Sequence, residues 1–300
     1  MVGIIVVTYN RLLLLKENIQ ALREQTYTDC KIIVVNNGST DGTEEWLVYQ
    51  KDLIVLNQEN LGGAGGFYAG MKYAVKSGFD YVWLMDDDTI PTKEALANMF
   101  QKVQLLVKDN WGFLCSRVID LSGHSSNVPN IDMRKWGRAY PDWDEKINSK
   151  MVKVRCATFV SVLISVERIR ECGLPIKEFF IWGDDTEYTY RLSDNLSCYL
   201  VGDSLVLHKR KNGDGLSFLQ EKNHNRLNLY FYMYRNQLIL YRKGVFGRKF
   251  RVSRYYLSKM FLLLRCLSLC KFVHAKVLVT ALIRATFFKP SIEYPLKNRN

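Results

Sequence analysis

Three consecutive carboxylates, Asp86, Asp87 and Asp88, follow the apolar run Tyr81-Val82-Trp83-Leu84-Met85. A short apolar run of this kind reads as a buried strand, which puts the three acids at its tip. Burying unpaired negative charge is costly, so such a cluster either coordinates a hard cation or takes up protons. A cation held there would serve chemistry on phosphate oxygens. The same residues also fit a solvated turn, with Pro91 marking it and Asp88 capping a helix that begins near Thr92.

The elements that must position these acids are legible around them. Short β-branched runs alternate with helical periodicity, giving strands over residues 3–8, 31–36, 53–56, 81–86, 112–119, 155–165 and 205–208. Helices are expected over 12–25, 43–49, 64–77 and 92–107. This is the pattern of an α/β fold, a mostly parallel sheet flanked by helices. Ligands of open α/β sheets bind outside the carboxyl ends of the strands. The first strand is followed by Thr8-Tyr9-Asn10-Arg11, an aromatic ring among hydrogen-bonding groups. The second is followed by Asn36-Asn37-Gly38-Ser39-Thr40-Asp41-Gly42-Thr43, whose side chains can read a base edge or cap a helix, with Ser39, Thr40 and Asp41 as capping candidates. The third is followed by Asn60-Leu61-Gly62-Gly63-Ala64-Gly65-Gly66, where missing side chains let a ligand approach the backbone. This is no dinucleotide fingerprint, because the Gly-x-Gly-x-x-Gly spacing is absent and the segment follows the wrong strand. Residues 122–149 read as a long loop over a binding face.

With 48% hydrophobic residues among 300, the chain can bury a sizeable core and is not a disordered protein. Its seven cysteines form no CxxC pair and are odd in number, so they read as reduced core residues. The N-terminus opens into Gly3-Ile4-Ile5-Val6-Val7 with no basic region ahead of it, which leads us to expect a cytosolic protein. The net charge of +12 is unevenly spread. Residues 1–208 carry 22 Lys and Arg against 27 Asp and Glu, whereas residues 209–300 carry 20 against three. We therefore expect a ligand-binding and catalytic domain over 1–224 and a basic helical region over 225–300. No stretch of that region reaches the roughly 18 uncharged apolar residues of a spanning helix. It can lie on an anionic membrane surface, or pack on the domain or on a second subunit of a homo-oligomer. The charges at Lys259, Arg265, Lys271, Lys276 and Arg284 scatter around a helical wheel, which leaves both readings open. No nucleic-acid motif is present, so nucleic acid is not an expected partner.

The three polar loops together with Asp86–Asp88 resemble the family 2 glycosyltransferases of GT-A fold, over about residues 1–210. The resemblance implies a UDP-sugar donor held by Thr8, Tyr9, Asn10, Arg11, Asn36, Asn37, Asp41, Asn60, Gly63 and Asp87. It also implies Mn2+ or Mg2+ on the acidic cluster, bridging the diphosphate. The family often has Asp where this chain has Asn36, whose amide oxygen can still accept from a uracil N–H. Farther on, Phe179-Phe180-Ile181-Trp182-Gly183-Asp184-Asp185-Thr186-Glu187-Tyr188, with Arg191 and the later His208, looks like bacterial galactofuranosyltransferases and rhamnosyltransferases. That likeness implies Asp185 as general base, Trp182 beside the acceptor, Asp184 and Glu187 shaping the acceptor pocket, and His208 completing the metal shell with Asp86 and Asp88. Taken alone, Asp184 also reads as a helix cap, Trp182 as core and His208 as a histidine without a metal. Residues 229–236, aromatic and basic, resemble the helical tail of such enzymes, whose glycan acceptors are commonly lipid-linked at the cytoplasmic membrane face. The expected activity is metal-dependent, inverting transfer of galactofuranose from UDP-galactofuranose in surface polysaccharide synthesis. A rhamnosyltransferase using dTDP-rhamnose, a non-catalytic nucleotide-binding membrane adaptor and, more remotely, a dehydrogenase are the rivals.

Overall fold

Strand β1 (Val2–Thr8) is buried along its whole length and divides its side chains between two cores. Ile5 and Val7 point into one, and Val2, Ile4 and Val6 into the other. Only a central strand covered on both faces needs such a run. The computed structural model describes residues 1–209, 217–245 and 251–295. In it β1 lies between β2 (Cys30–Asn36) and β4 (Tyr81–Asp86), parallel to both, with β3 (Ile54–Asn57) parallel to β2 at the edge. The helices between these strands are α1 (Leu12–Arg23), α2 (Thr43–Val48) and α3 (Gly62–Lys76). Helix α3 packs closely on β1, because Gly66 and Gly70 present no side chain to it. A Cβ on Gly66 would stand 2.4 Å from Val7 Cγ1, and one on Gly70 2.5 Å from Ile5 Cγ2.

Beyond β4 the chain forms β5 (Thr89–Pro91), α4 (Ala95–Leu105), β6 (Trp111–Ile119), β7 (Asn130–Ile131), β8 (Met151–Cys156) and β9 (Val162–Ser165). There follow α5 (Val166–Cys172), α6 (Asp184–Leu192) and β10 (Ser197–His208). The sheet order among the described residues is β3-β2-β1-β4-β9-β6-β10-β8-β7, with β5 paired to β10. β9 runs antiparallel between β4 and β6, which restores the common direction for β6 and β10.

Three expectations are corrected here. Residues 155–165 are not one strand but the end of β8, a turn at 157–161, and β9. The strand expected at 205–208 begins at Ser197, with a register shift between Val201 and Leu205. The helix expected from Thr92 starts at Ala95, because Thr89–Pro91 pairs with β10.

Helices α7 (His224–Arg242), α8 (Arg251–Ser268) and α9 (Phe272–Phe287) pack through Tyr230, Tyr234, Cys266, Leu278 and Ala281. Ile239 and Leu240 of α7 join Ala64, Ile176 and Phe179 of the sheet domain in one apolar cluster. The scatter of charge along α8 has a physical cause. Lys259 turns inward, its Nζ 4.7 Å from the Tyr234 ring centroid and 5.2 Å from that of Tyr255. The outward face of α8 is left with Leu257, Met260, Phe261, Leu264 and Leu267, flanked by exposed Arg254 and Arg265. Among the described residues no helix is long and apolar enough to cross a membrane.

Candidate active site

A cleft of about 830 Å³ opens at the carboxyl ends of β1 and β4 and is lined also by residues of α6 and α7. Asp86, Asp88 and His208 meet in it, one ligand atom of each lying within 4.8 Å of the others. Strand pairing makes this possible. His208 ends β10 opposite Thr89 of β5, one residue past Asp88. His208 Nε2 stands 3.1 Å from Asp88 Oδ1, while Nδ1 lies 2.9 Å from Asn127 Oδ1. With Nδ1–H donating to Asn127, Nε2 faces the carboxylates, where it donates to Asp88 when the ring is protonated and would offer its lone pair to a cation when it is neutral.

The charges around this cluster are only partly compensated. Burial pushes the Asp86 carboxyl up to about 7, with Asp88 adding to the effect. Burial likewise raises Asp87 to about 6, against the pull of Arg11 and the Thr8 hydroxyl. Burial works to raise Asp88 too, yet His208 and Arg11 together hold its carboxyl below the usual range. Arg11 Nη1 donates to Asp88 Oδ2 at 2.6 Å and lies 3.3 Å from Asp87 Oδ1, and Thr8 Oγ1 donates to Asp87 Oδ2 at 2.8 Å. One arginine thus contacts two of the three carboxylates. Two carboxylates and an imidazole suit a divalent cation such as Mn2+ or Mg2+, and a metal there would relieve the repulsion that raises Asp86.

The second acidic group enters the cleft from α6. Asp184 and Asp185 open α6 directly after Gly183, whose φ of 95° is open to glycine at little cost. Asp184 is buried, and its carboxyl lies well above its ordinary value, chiefly through burial and then repulsion from Asp185 and Asp86. Burial raises Asp185 as well, opposed by hydrogen bonds to Oδ1 from Thr186 N at 2.6 Å and Thr186 Oγ1 at 3.2 Å. Trp182 lines the cleft and packs on Tyr230, their ring centroids 5.5 Å apart.

Thr8, Tyr9, Arg11, Asn37, Asn60, Gly63, Asp86, Asp87, Asp88, Trp182, Asp184, Asp185 and His208 all line this one cleft. Asn10 and Asp41 line a smaller neighbouring depression beside Arg11. There they stitch two loops together. Asn10 Oδ1 accepts from Thr40 N at 2.6 Å, and Asp41 Oδ2 from Leu12 N at 2.9 Å. Asn36 is spent on the fold, its Oδ1 accepting from Ser39 N and its Nδ2 donating to Asn57 Oδ1, both at 3.1 Å. Glu187 stands outside the cleft, only 1% exposed, with Arg191 and Lys243 on its carboxylate. Its spacing of four residues from Arg191 is the signal for that pairing. Sequence reasoning missed Asn127, the 158–160 turn, Phe180, and Arg226 and Leu229 of α7, all of which line the cleft.

Comparison with known proteins agrees with this geometry. A sequence model of glycosyl transferase family 2 matches residues 3–165, a span that ends before Asp184, Asp185 and His208. The chain is 28% identical over 204 residues to galactofuranosyltransferase GlfT1 of Mycobacterium tuberculosis, covering 63% of each protein. It is 32% identical over 108 residues to glycosyltransferase GlyG of Streptococcus pneumoniae, covering 35% of each. The chain therefore spans less than two thirds of the length of these curated relatives. Among solved structures, TarS 1-349 of S. aureus in complex with UDP-GlcNAc superposes with a TM-score of 0.56 at 14% identity, covering 79% of this chain and 65% of that one. Mannosyltransferase PcManGT of Pyrobaculum calidifontis, in complex with GDP-Man and Mn2+, gives 0.51 at 16% identity, covering 96% and 75%. These likenesses establish the GT-A fold. Because the family match takes in more than half of the sequence, the chain belongs to glycosyl transferase family 2.

Proposed function

We propose that the protein is a metal-dependent, inverting glycosyltransferase that moves galactofuranose from UDP-galactofuranose to a glycan acceptor in cell-surface polysaccharide synthesis. The observation carrying this reading is that Asp86, Asp88 and His208 share one cleft with the Asp184–Asp185 pair. Likeness to GlfT1 supports the choice of donor sugar.

Thr8, Tyr9, Asn37, Asn60 and Gly63 form the donor side, where Gly63 has open space in place of a side chain. A divalent cation held by Asp86, Asp88 and His208 would supply positive charge to the diphosphate as it leaves. On the acceptor side Trp182 offers a flat apolar face to a sugar ring. Asp185, fixed through Oδ1 by Thr186, takes the proton of the attacking hydroxyl on Oδ2. The acceptor oxygen bonds to the sugar C1 as the bond from C1 to the UDP oxygen breaks, which inverts C1 and releases UDP. Burial, which raises the Asp185 carboxyl, makes it a stronger base than an exposed aspartate.

The acceptor in this reading is lipid-linked, and the protein works peripherally on the cytoplasmic face of the membrane. The apolar outward face of α8, flanked by Arg254 and Arg265, supports that placement, since apolar burial and attraction to anionic lipid act together. The test is incubation with Mn2+ and a panel of UDP-, dTDP- and GDP-sugars, with release of free nucleotide as readout. Release from UDP-galactofuranose that depends on acceptor is expected. Preferential release from dTDP-rhamnose would replace the donor, and UDP binding without turnover of any donor would make the protein a non-catalytic adaptor.

A further inference from the structure

Residues 179–183 reach Asp184 through a backbone path that few sequences tolerate. Phe180 has φ 65° and ψ −62°, Trp182 has φ 61°, and neither is glycine. Such conformations persist only where the surroundings over-determine them. On one side the Phe180 carbonyl accepts from Ala64 N at 3.1 Å, at the start of α3. It also lies over Gly62, where a Cβ would come within 2.0 Å of that oxygen. On the other side stands Asn236 of α7, 1% exposed. Its Nδ2 donates toward the carbonyls of Phe179 at 2.9 Å, Ile181 at 3.1 Å and Trp182 at 2.9 Å. Its Oδ1 accepts from Arg235 Nε at 3.0 Å and Nη2 at 2.9 Å, which fixes which way the amide faces. Arg235 Nη2 donates in turn to the carbonyl of Glu178 at 2.5 Å, and its guanidinium lies 3.9 Å from the centroid of the Phe288 ring.

We infer that Asn236, oriented by Arg235, is a positioning residue for the reaction: it clamps the strained 179–183 segment against the start of α3, so that Trp182, Asp184 and Asp185 face the donor site. A buried amide within an apolar helix face would ordinarily be a liability, and here each of its polar atoms goes to the segment or to Arg235. The clamp ties three parts of the chain at one point, namely the glycine-rich donor loop, the acidic pair and the C-terminal helices. It rests on the reading of the cleft as a transferase site, but its geometry can be tested apart from activity.

Hydrogen exchange by mass spectrometry on the full-length protein, wild type and Asn236→Ala, addresses the clamp directly. Leu238→Ala, which empties a fully buried position on the same helix, serves as the packing control. In Asn236→Ala, exchange across residues 180–186 should accelerate by about tenfold or more, as for a segment released to local opening. Leu238→Ala should lower the melting temperature without that local change. Transfer by Asn236→Ala should fall by about 10–100-fold, the scale expected when reacting groups are misplaced by about 1 Å. UDP affinity in Mn2+ should stay within about twofold, since the metal residues sit on other elements. Unchanged exchange over 180–186, or equal acceleration in both variants, overturns the inference. If wild type transfers no sugar, the transferase reading fails while the exchange comparison still decides the clamp. Should Asn236→Ala fail to fold, Arg235→Lys takes its place. Lysine keeps a positive charge near Phe288 but loses the fork that orients Asn236, so the same local acceleration must appear, and its absence is equally fatal.

Discussion

Replacing Glu187 by Gln separates two roles that its place in the sequence allows, an acceptor contact and a structural ion pair. The side chain is 1% exposed, with Arg191 Nε and Nη2 each 3.0 Å from its oxygens and Lys243 Nζ at 2.5 Å. The contact with Lys243 joins α6 to the residue just after α7. Removing one charge from a buried pair costs about 3–5 kcal/mol, because the partner is left uncompensated. Lys243 is partly exposed and can turn toward water, which favours the lower end, about 3 kcal/mol. For a chain of this size that corresponds to a fall in melting temperature on the order of 6–12 °C. The pH dependence has a definite sign. Burial works to raise the Glu187 carboxyl, but Arg191 and then Lys243 outweigh it and hold the group below its ordinary value. A depressed acid stabilises the fold at neutral pH, and that stability is lost as pH falls through the folded-state value. Thermal unfolding followed by circular dichroism at pH 7 and pH 4 should therefore show a gap between wild type and Glu187→Gln that narrows in acid. An unchanged melting temperature together with a raised acceptor KM would refute the ion-pair argument and return Glu187 to the acceptor pocket.

Further outcomes are expected at the cleft and on α8. Mn2+ should bind more weakly below pH 7 than above it, because the proton on Asp86 must leave first; calorimetric affinities that are flat from pH 5.5 to 8 would count against the triad. Asp88→Ala should abolish the dependence of UDP binding on Mn2+, measured by calorimetry with and without chelator, and equal dependence in the variant would move the metal elsewhere. Asp185→Asn should slow transfer by about 10²–10⁴-fold with UDP affinity close to wild type. If that variant retains near-normal transfer, the base lies elsewhere, with Asp184 the nearest alternative. Phe261→Asp with Leu264→Asp should reduce sedimentation with anionic vesicles while leaving the melting temperature within a degree or two, both side chains being exposed. Undiminished sedimentation would remove α8 as the contact.

The parts of the fold that could be read from sequence are those where local pattern and tertiary environment agree. β1, β2 and β4 are apolar runs ending in polar or acidic loops, and all three were legible together with the loops after β1 and β4 that line the cleft. The 155–165 stretch misleads because it is nearly continuous in β-forming residues, without Gly or Pro. Its turn is made by distant partners, Ala157 N donating to Thr189 Oγ1 at 3.1 Å and Ser161 Oγ accepting from Trp83 Nε1 at 2.9 Å. The first half of β10 was hidden by Gly202-Asp203, which sits where the register shifts. Asn36 and Glu187 have the right residue types for a site, but their hydrogen-bonding capacity goes to Ser39, Asn57, Arg191 and Lys243, of which only Arg191, four residues from Glu187, has a spacing signal. Asn236 falls in a segment legible as aromatic and basic, yet its service to three carbonyls depends on a backbone path that only the folded chain defines.

The pairing of His208 with Thr89 has a kinetic consequence. The two halves of the Asp86–Asp88–His208 cluster lie about 120 residues apart, and joining them requires closure of a loop of that length, which costs entropy that grows only with its logarithm. A chain emerging from the ribosome can form β1 through β4 and present Asp86 and Asp88 long before His208 exists to meet them. The site therefore assembles late, when β10 enters between β6 and β8 and β5 pairs along it. A half-made protein therefore carries Asp86 and Asp88 without the imidazole that meets them in the finished fold.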